Sequence, residues 1–247
     1  MRSNNRTGHF LLLLTVVLLL QACASRSPYE EVSDPLEPVN RVIYTFNDKL
    51  DRAVLKPAAK GYQKVLPKSV QSGVRNFFNN IYEPLTIINN ILQGQPTHTF
   101  SNTTRFIFNT VFGIGGIMDV ASDWDLPHNQ EDFGQTFGVW GFGEGWYLVL
   151  PVLGPSSVRD SAGLATTFVL NLDPIARYTE GYTKLAVYGL YFISERADLL
   201  SASKVLDAAA LDPYLQVRES YRQKRWYDQH DGNPPEPDFF DDELLDE

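Results

Sequence analysis

The chain has 247 residues, with 30 acidic against 21 basic side chains and a formal net charge of −9. That balance excludes a uniformly basic nucleic-acid surface, and a single cysteine excludes an intramolecular disulfide and any cysteine-based metal site. The length supports one sizeable core without a second domain.

Arg2 and Arg6 precede an uncharged, Leu-rich run from Phe10 to Leu20, followed by Gln21, Ala22 and Cys23. The run is roughly half the ~20 apolar residues that a spanning helix needs, so residues 1–22 read as a cleaved secretory leader. A cysteine after a small residue, with Leu20 three positions back, is similar to the lipobox of bacterial lipoproteins. That likeness implies a diacylglycerylated Cys23 thiol, cleavage just before it and acylation of the new amino group. Ala24 stands where an Asp would favour inner-membrane retention, so the likeness implies an outer-membrane, periplasm-facing, lipid-anchored location. Several acyl chains hold a protein durably where one does so only marginally. Loss of Arg2 and Arg6 with the leader takes the net charge from −9 to −11.

Residues 23–33 are small and polar, as suits a flexible tether. Asp34-Pro35-Leu36-Glu37-Pro38 predicts a helix start, with Val39, Val42, Ile43, Phe46, Leu50 and Val54 following at helical spacing. Pro57 and Pro67 punctuate a short helix, and Val70, Val74, Phe77, Phe78 and Ile81 share one face of the next. Pro84 predicts a break there, after which Leu85 to Leu92 continue to a stop at Gly94. A further helix is predicted between Thr99 and Phe112. Its second half, Arg105 to Phe112, is apolar around much of its circumference and runs on to Met118. A helix of that kind is either core or wetted by lipid, and it is too short to span a bilayer.

Gly134 to Pro151 sets five glycines among Phe137, Trp140, Phe142, Trp146 and Tyr147, so helix is not expected there. Trp146 to Leu150 predicts one short strand, with Phe142 to Gly145 as the turn of a small hairpin. Gly138, Gly141, Gly143 and Gly145 suit either a fixed turn or a hinge. Ser156 and Ser157 predict a capped helix through Leu170, Asp173-Pro174 a long one reaching Leu200, and Asp212-Pro213 a last one ending near Gln229. The domain is therefore expected over 34–229, mainly α, with seven to nine helical segments and a short Gly-aromatic hairpin. Residues 230–247 are acidic and proline-broken, the composition of a disordered tail.

No catalytic constellation emerges. His98, His128 and His230 share no helix face, and the chain holds no His-x-x-x-His zinc pattern, no Gly-x-Ser-x-Gly elbow and no phosphate loop. Glu131-Asp132 and Asp123 with Asp125 read as exposed loop acids. The expectation is a protein that is not an enzyme, with no catalytic residues, metal or cofactor. In excess instead is asparagine: Asn76, Asn79, Asn80, Asn89, Asn90, Asn102 and Asn109 interleave with aliphatic and aromatic residues. Helix-end caps account for many of them. The alternative is a polar passage for a lipid headgroup through an otherwise apolar body.

Asp34-Pro35-Leu36-Glu37-Pro38-Val39-Asn40-Arg41, Phe46-Asn47, Thr104-Arg105-Phe106, Asn109-Thr110, Gly113-x-Gly115-Gly116 and Asp119 occur in order, followed by Phe133-Gly134-Gln135-Thr136, Gly138 and Leu150-Pro151-x-x-Gly154-Pro155-Ser156-x-x-Arg159-Asp160. The string resembles the MlaA/VacJ lipoprotein family from about Asp34 to Arg225. The resemblance implies a ring-like helical protein in the inner leaflet of the outer membrane, with a lipid-facing rim and an amphipathic central channel. It implies removal of phospholipid mislocalised to the outer leaflet, delivery to a soluble periplasmic lipid carrier, a trimeric porin as partner, and no nucleic acid. Phe46, Asn47, Asn109, Gly138, Gly141, Gly143 and Gly145 are then the candidates for lining or gating the channel, and Cys23 for the anchor. A scaffolding lipoprotein without a lipid path, or a surface lipase, are the competing classes.

Overall fold

The computed structural model describes residues 34–209 and 211–235, the side chains of 205–210 excepted. The leader, Cys23, the 23–33 tether and residues 236–247 lie outside the described residues. Helix α1 (Glu37–Leu50) passes through a π-helical turn (Asp51–Leu55) into α2 (Lys56–Val65). Then come α3 (Lys68–Gln93), α4 (Pro96–Val111), a 3-10 turn (Val120–Trp124) and α5 (Phe133–Val139). Strands β1 (Tyr147–Leu150) and β2 (Gly154–Ser157) precede α6 (Val158–Val169), α7 (Pro174–Tyr178), α8 (Gly181–Asp198), α9 (Leu200–Ala209) and α10 (Pro213–Gln229). No described helix is long and apolar enough to cross a membrane.

Element contacts run in a closed circuit. α1 and α2 both meet the π turn, α2 meets α8, α8 meets α3, and α3 meets α5. From there α5 meets α6, α6 meets β2, β2 pairs with β1, and β1 returns to α1. The protein is thus mainly helical and ring-like, with one two-stranded sheet.

Four elements depart from their sequence-based expectation. Pro84 does not break α3, which continues for 26 residues. Asn80, Glu83, Thr86, Asn89 and Asn90 lie buried on both sides of the proline, against α4, α5 and α8, and this packing outweighs a lost helical hydrogen bond. The long helix expected from Asp173 instead ends at Tyr178 and restarts at Gly181, with Thr179 and Glu180 extended. Asp173 explains the break: it caps α7 through Ala176 N at 2.6 Å and accepts the Tyr188 hydroxyl of α8 at 2.6 Å, so the chain must turn back between them.

Helix α5 forms where glycines argued against one, because those glycines permit close packing. A Cβ on Gly163 of α6 would stand 2.3 Å from the Gly134 backbone nitrogen. Asp132 caps the helix by accepting from Gln135 N at 2.9 Å. The hairpin, finally, turns at Pro151–Leu153 and not at Phe142–Gly145, its register pairing Tyr147 with Ser157 and Leu150 with Gly154.

β2 has the sequence Gly-Pro-Ser-Ser, which carries little strand propensity. The sheet is completed from α1. Asn40 Nδ2 donates to Tyr147 O at 2.9 Å, and Asn40 Oδ1 accepts from Val149 N at 3.0 Å. Asn47 Nδ2 donates to Leu150 O at 2.9 Å, and its Oδ1 accepts from Val152 N at 2.8 Å. Seven helical residues rise ~10.5 Å, close to the ~10 Å of three strand residues, so two amides two turns apart reach successive backbone pairs, one within β1 and one at its end and in the turn.

Much of the interior is polar, and many large apolar side chains lie outside. Among the described residues, 20 polar or charged side chains are buried against nine hydrophobic ones, four of these being tyrosine or phenylalanine, while 33 large hydrophobics are exposed. In α4 the buried face is Ser101, Asn102, Arg105 and Asn109, and the exposed face carries Phe100, Ile107 and Val111. The helical period is the ordinary one with its faces exchanged. All seven asparagines from Asn76 to Asn109 lie within α3 or α4, so they are not caps. They clip helices to loops: Asn102 Nδ2 donates to Asn129 O at 3.0 Å, and Asn109 Nδ2 donates to Asp119 Oδ1 at 2.9 Å.

Asn40→Ala strips partners from two buried backbone groups of β1, and orphaned groups cost about 1–3 kcal/mol each. A thermal melt in detergent should therefore show Asn40→Ala destabilised by about 2–4 kcal/mol, and the more exposed Asn47→Ala by less. Equal melting temperatures for parent and Asn40→Ala would mean that the amide does not hold the hairpin.

Candidate functional site

Three members of the circuit, α3, α5 and α8, enclose with α10 and the 128–132 segment a cavity of about 540 Å³. Tyr82 and Thr86 face it from α3, Gln135 from α5, Tyr191 and Glu195 from α8, and Arg225 from α10. A second space of about 240 Å³ shares His128, Gln130, Glu131 and Asp228 with it and reaches Tyr227 and Asp231. Both linings are mostly polar, which is what a headgroup requires and an acyl chain does not.

Arg225 organises the wall. Its guanidinium donates to Asp132 at 2.7 and 3.0 Å and stands 2.8 Å from Asp160 Oδ2, which also accepts from the Tyr221 hydroxyl. Burial pushes both carboxyls up, but Arg225 and the accompanying hydrogen bonds outweigh it and hold them below the usual range. Glu131 has no such partner. Burial pushes its carboxyl up to about 7, with Asp231 and Asp132 adding to the rise while the Gln93 amide and Arg225 oppose it. Burial, then Asp198, also raises Glu195. Glu131 is therefore an interior group, contrary to its reading as a loop acid, and Asp132 is half-buried against Arg225, whereas Asp123 and Asp125 are exposed as expected. Nothing in the local sequence separates the two pairs, since only α3 and α10 cover the first.

The other sequence candidates scatter. Phe46 is exposed on α1, and Asn47 is occupied with the hairpin. Asn109 holds Asp119 and accepts from Ala121 N at 2.9 Å, fastening the loop after α4. Gly138 permits close approach, since a Cβ there would lie 2.7 Å from Gln229 and 2.9 Å from Arg159. Gly141 and Gly145 have φ of +90° and +69°, the left-handed backbone that a turn requires, and Gly143 is half-buried between them.

The motif residues serve closure more than chemistry. Arg41 pairs with Asp212 at 2.7 Å and lies over the Tyr214 ring, so the first helix is tied to the last. On the outside, Ile107, Val111, Phe112, Ile114, Ile117 and Met118 are exposed in and just after α4. Most of the apolar residues from Phe106 to Met118 thus lie at the surface, with Phe106 and Phe108 half-buried. Among the described residues no group of three His, Cys, Asp or Glu could hold a metal ion.

The model of the MlaA lipoprotein family matches residues 32–228. The chain belongs to that family. It is 36% identical over 233 residues to the intermembrane phospholipid transport system lipoprotein MlaA of Haemophilus influenzae, covering 92% of each. It is 34% identical over 221 residues to the Escherichia coli K12 protein of the same description, covering 86% of this chain and 85% of that one. A solved structure, from work on the structural basis for maintenance of bacterial outer membrane lipid asymmetry, superposes with a TM-score of 0.70 at 33% identity. It covers 80% of this chain and all of that one.

Two outcomes follow from the site. The folded state keeps a proton on Glu131 that the unfolded chain releases near 4.5, so between about pH 4.5 and 7 this group lowers stability as pH rises. Glu131→Gln should match its parent near pH 4.5 and exceed it by about 3 kcal/mol at pH 8. Melting curves whose separation is constant with pH would rule this out. Gly141→Val forces a branched residue to φ +90°, though into open space, and should cost about 1–2 kcal/mol by thermal melting.

Proposed function

We propose that the chain is an outer-membrane lipoprotein, anchored by acyl chains on Cys23, that removes mislocalised phospholipid from the outer leaflet. The lipid passes through the polar cavity to a soluble periplasmic carrier, a trimeric porin holds the ring in place, and outer-membrane lipid asymmetry is maintained. One observation carries this reading: the described helices turn apolar residues outward and enclose a polar cavity. An exterior of that kind suits hydrocarbon, and an interior of that kind suits a headgroup.

Family membership, with relatives described as phospholipid transport lipoproteins, supports the same reading. The physical task is to keep acyl chains out of water while the headgroup moves. At ~0.8 kcal/mol per methylene, two chains of about sixteen carbons set a barrier of roughly 25 kcal/mol to free escape. Such transport breaks no bond and calls for no catalytic group.

Native mass spectrometry of the detergent-purified chain should find intact phospholipid bound. Release of lyso-lipid would indicate a lipase instead, and a chain free of lipid a scaffold. Cys23→Ala should appear in the periplasm or remain unprocessed on fractionation, and a variant wholly retained in outer membranes would mean that the apolar rim alone suffices.

A further inference from the structure

The basic side chains that face the cavity are already engaged. Arg225 is held by Asp132 and Asp160, Lys224 Nζ lies 2.5 Å from Asp228 Oδ2, and His128 Nε2 lies 3.2 Å from Glu83 Oε2. Glu131 and Glu195 also line it, and neither has a cationic partner within 4.0 Å among the described residues.

Gln135 supplies a second, independent sign. Its side chain is 3% exposed, lines the same cavity and carries an Oε1 with no hydrogen-bond partner. Its amide orientation is set, because Nε2 donates to Gln130 O at 3.0 Å, so an acceptor is what it offers. Glu131 just precedes the Asp132 cap of α5 and Gln135 lies in its first turn, so one short stretch of chain brings both to the cavity. A buried acceptor and a carboxyl without a cation lining one cavity call for a ligand that brings hydrogen-bond donors and positive charge.

Resting on the transport reading, we propose that this cavity selects phospholipids whose headgroup carries an ammonium over those ending in hydroxyls, receiving the ammonium on Gln135 Oε1 and Glu131 with Glu195 adding negative charge from the α8 wall. An ammonium has three donors and no acceptor, which matches this lining. A headgroup with net negative charge brings nothing to neutralise Glu131 or Glu195 and finds each facing cation already paired. A divalent metal is a poor alternative, since no three ligating side chains converge among the described residues. The raised Glu131 carboxyl agrees with this, being a desolvated acid that an incoming cation would return to its charged form.

The full-length lipidated chain, incubated with vesicles of equimolar phosphatidylethanolamine and phosphatidylglycerol, is re-isolated and its bound lipid is counted by native mass spectrometry. The amine-bearing lipid should exceed the other about tenfold, the factor one charge-assisted hydrogen bond corresponds to. Glu131→Gln with Glu195→Gln should bring the ratio towards unity, whereas Asp123→Asn, an exposed acid away from the cavity, should keep it. If the double variant loses helix content by circular dichroism, Glu195→Gln alone serves and should lower the ratio. Lipid bound in equal amounts, or with the glycerol headgroup favoured, overturns the selectivity and leaves transport standing. No bound lipid at all overturns the transport reading and this inference with it. Free ethanolamine binding as tightly as the vesicle lipid overturns headgroup recognition in favour of a general amine site.

Discussion

Buried hydrogen bonds between polar side chains carry this fold. Helices that turn apolar residues outward gain little from hiding them inside, so the interior has to be joined by polar groups whose pairing is specific. Asn89 shows the pattern: fully buried, it donates to Leu85 O at 2.9 Å and accepts from the Thr136 hydroxyl at 2.8 Å, linking α3 to α5. Arg105 does the same for the loop after α4, with both Asp119 oxygens at 2.9 Å and Leu126 O at 2.7 Å. Removing one member of such a set leaves the others buried without a partner, which costs more than the bond itself contributes.

The same interactions set the circuit. Arg196 of α8 reaches Asp51 in the π turn at 2.7 and 2.9 Å, and Gln63 of α2 donates to Ala197 O at 2.8 Å. Asn40 and Asn47 tie α1 to the hairpin, and Arg225 ties α10 to Asp132 before α5 and to Asp160 in α6. These partners stand from 93 to 145 residues apart except for Arg225 and Asp160, which are 65 apart in the numbering. What apolar core there is sits beside them, where Tyr147, Val149 and Tyr214 pack with Ile43 and Tyr44.

Arranged this way, the molecule offers one solvent on its outside and another within. Ile107, Val111, Phe112, Ile114, Ile117 and Met118 stay exposed although no described helix is long and apolar enough to cross a membrane, as suits an interfacial element. Within the ring, residues of α3, α8 and α10 line a mostly polar space, as the proposed headgroup path requires. Glu131, whose carboxyl burial pushes up to about 7, and Arg225, fixed by two carboxylates, occupy the same cavity in opposite electrostatic conditions.

The sequence by itself determined the mainly helical class, the starts at Asp173, Asp212 and Ser157, the stop at Gly94 and the family, because caps, prolines and motif order are local signals. It also carried the amphipathic period of α1 and α3. Which face of that period turned inward was decided only by tertiary structure, since a period of 3.6 is the same whether water or hydrocarbon lies outside. The uninterrupted α3, the break at Thr179, the α5 helix among glycines and the Gly-Pro-Ser-Ser strand were equally out of reach. Each is imposed by partners outside the local stretch: α4, α5 and α8 packed on the buried face around Pro84, Tyr188 on Asp173, Gly163 against Gly134, and α1 asparagines on β1. The burial of Glu131 belongs with them, because a carboxyl becomes interior only when helices remote in sequence close over it.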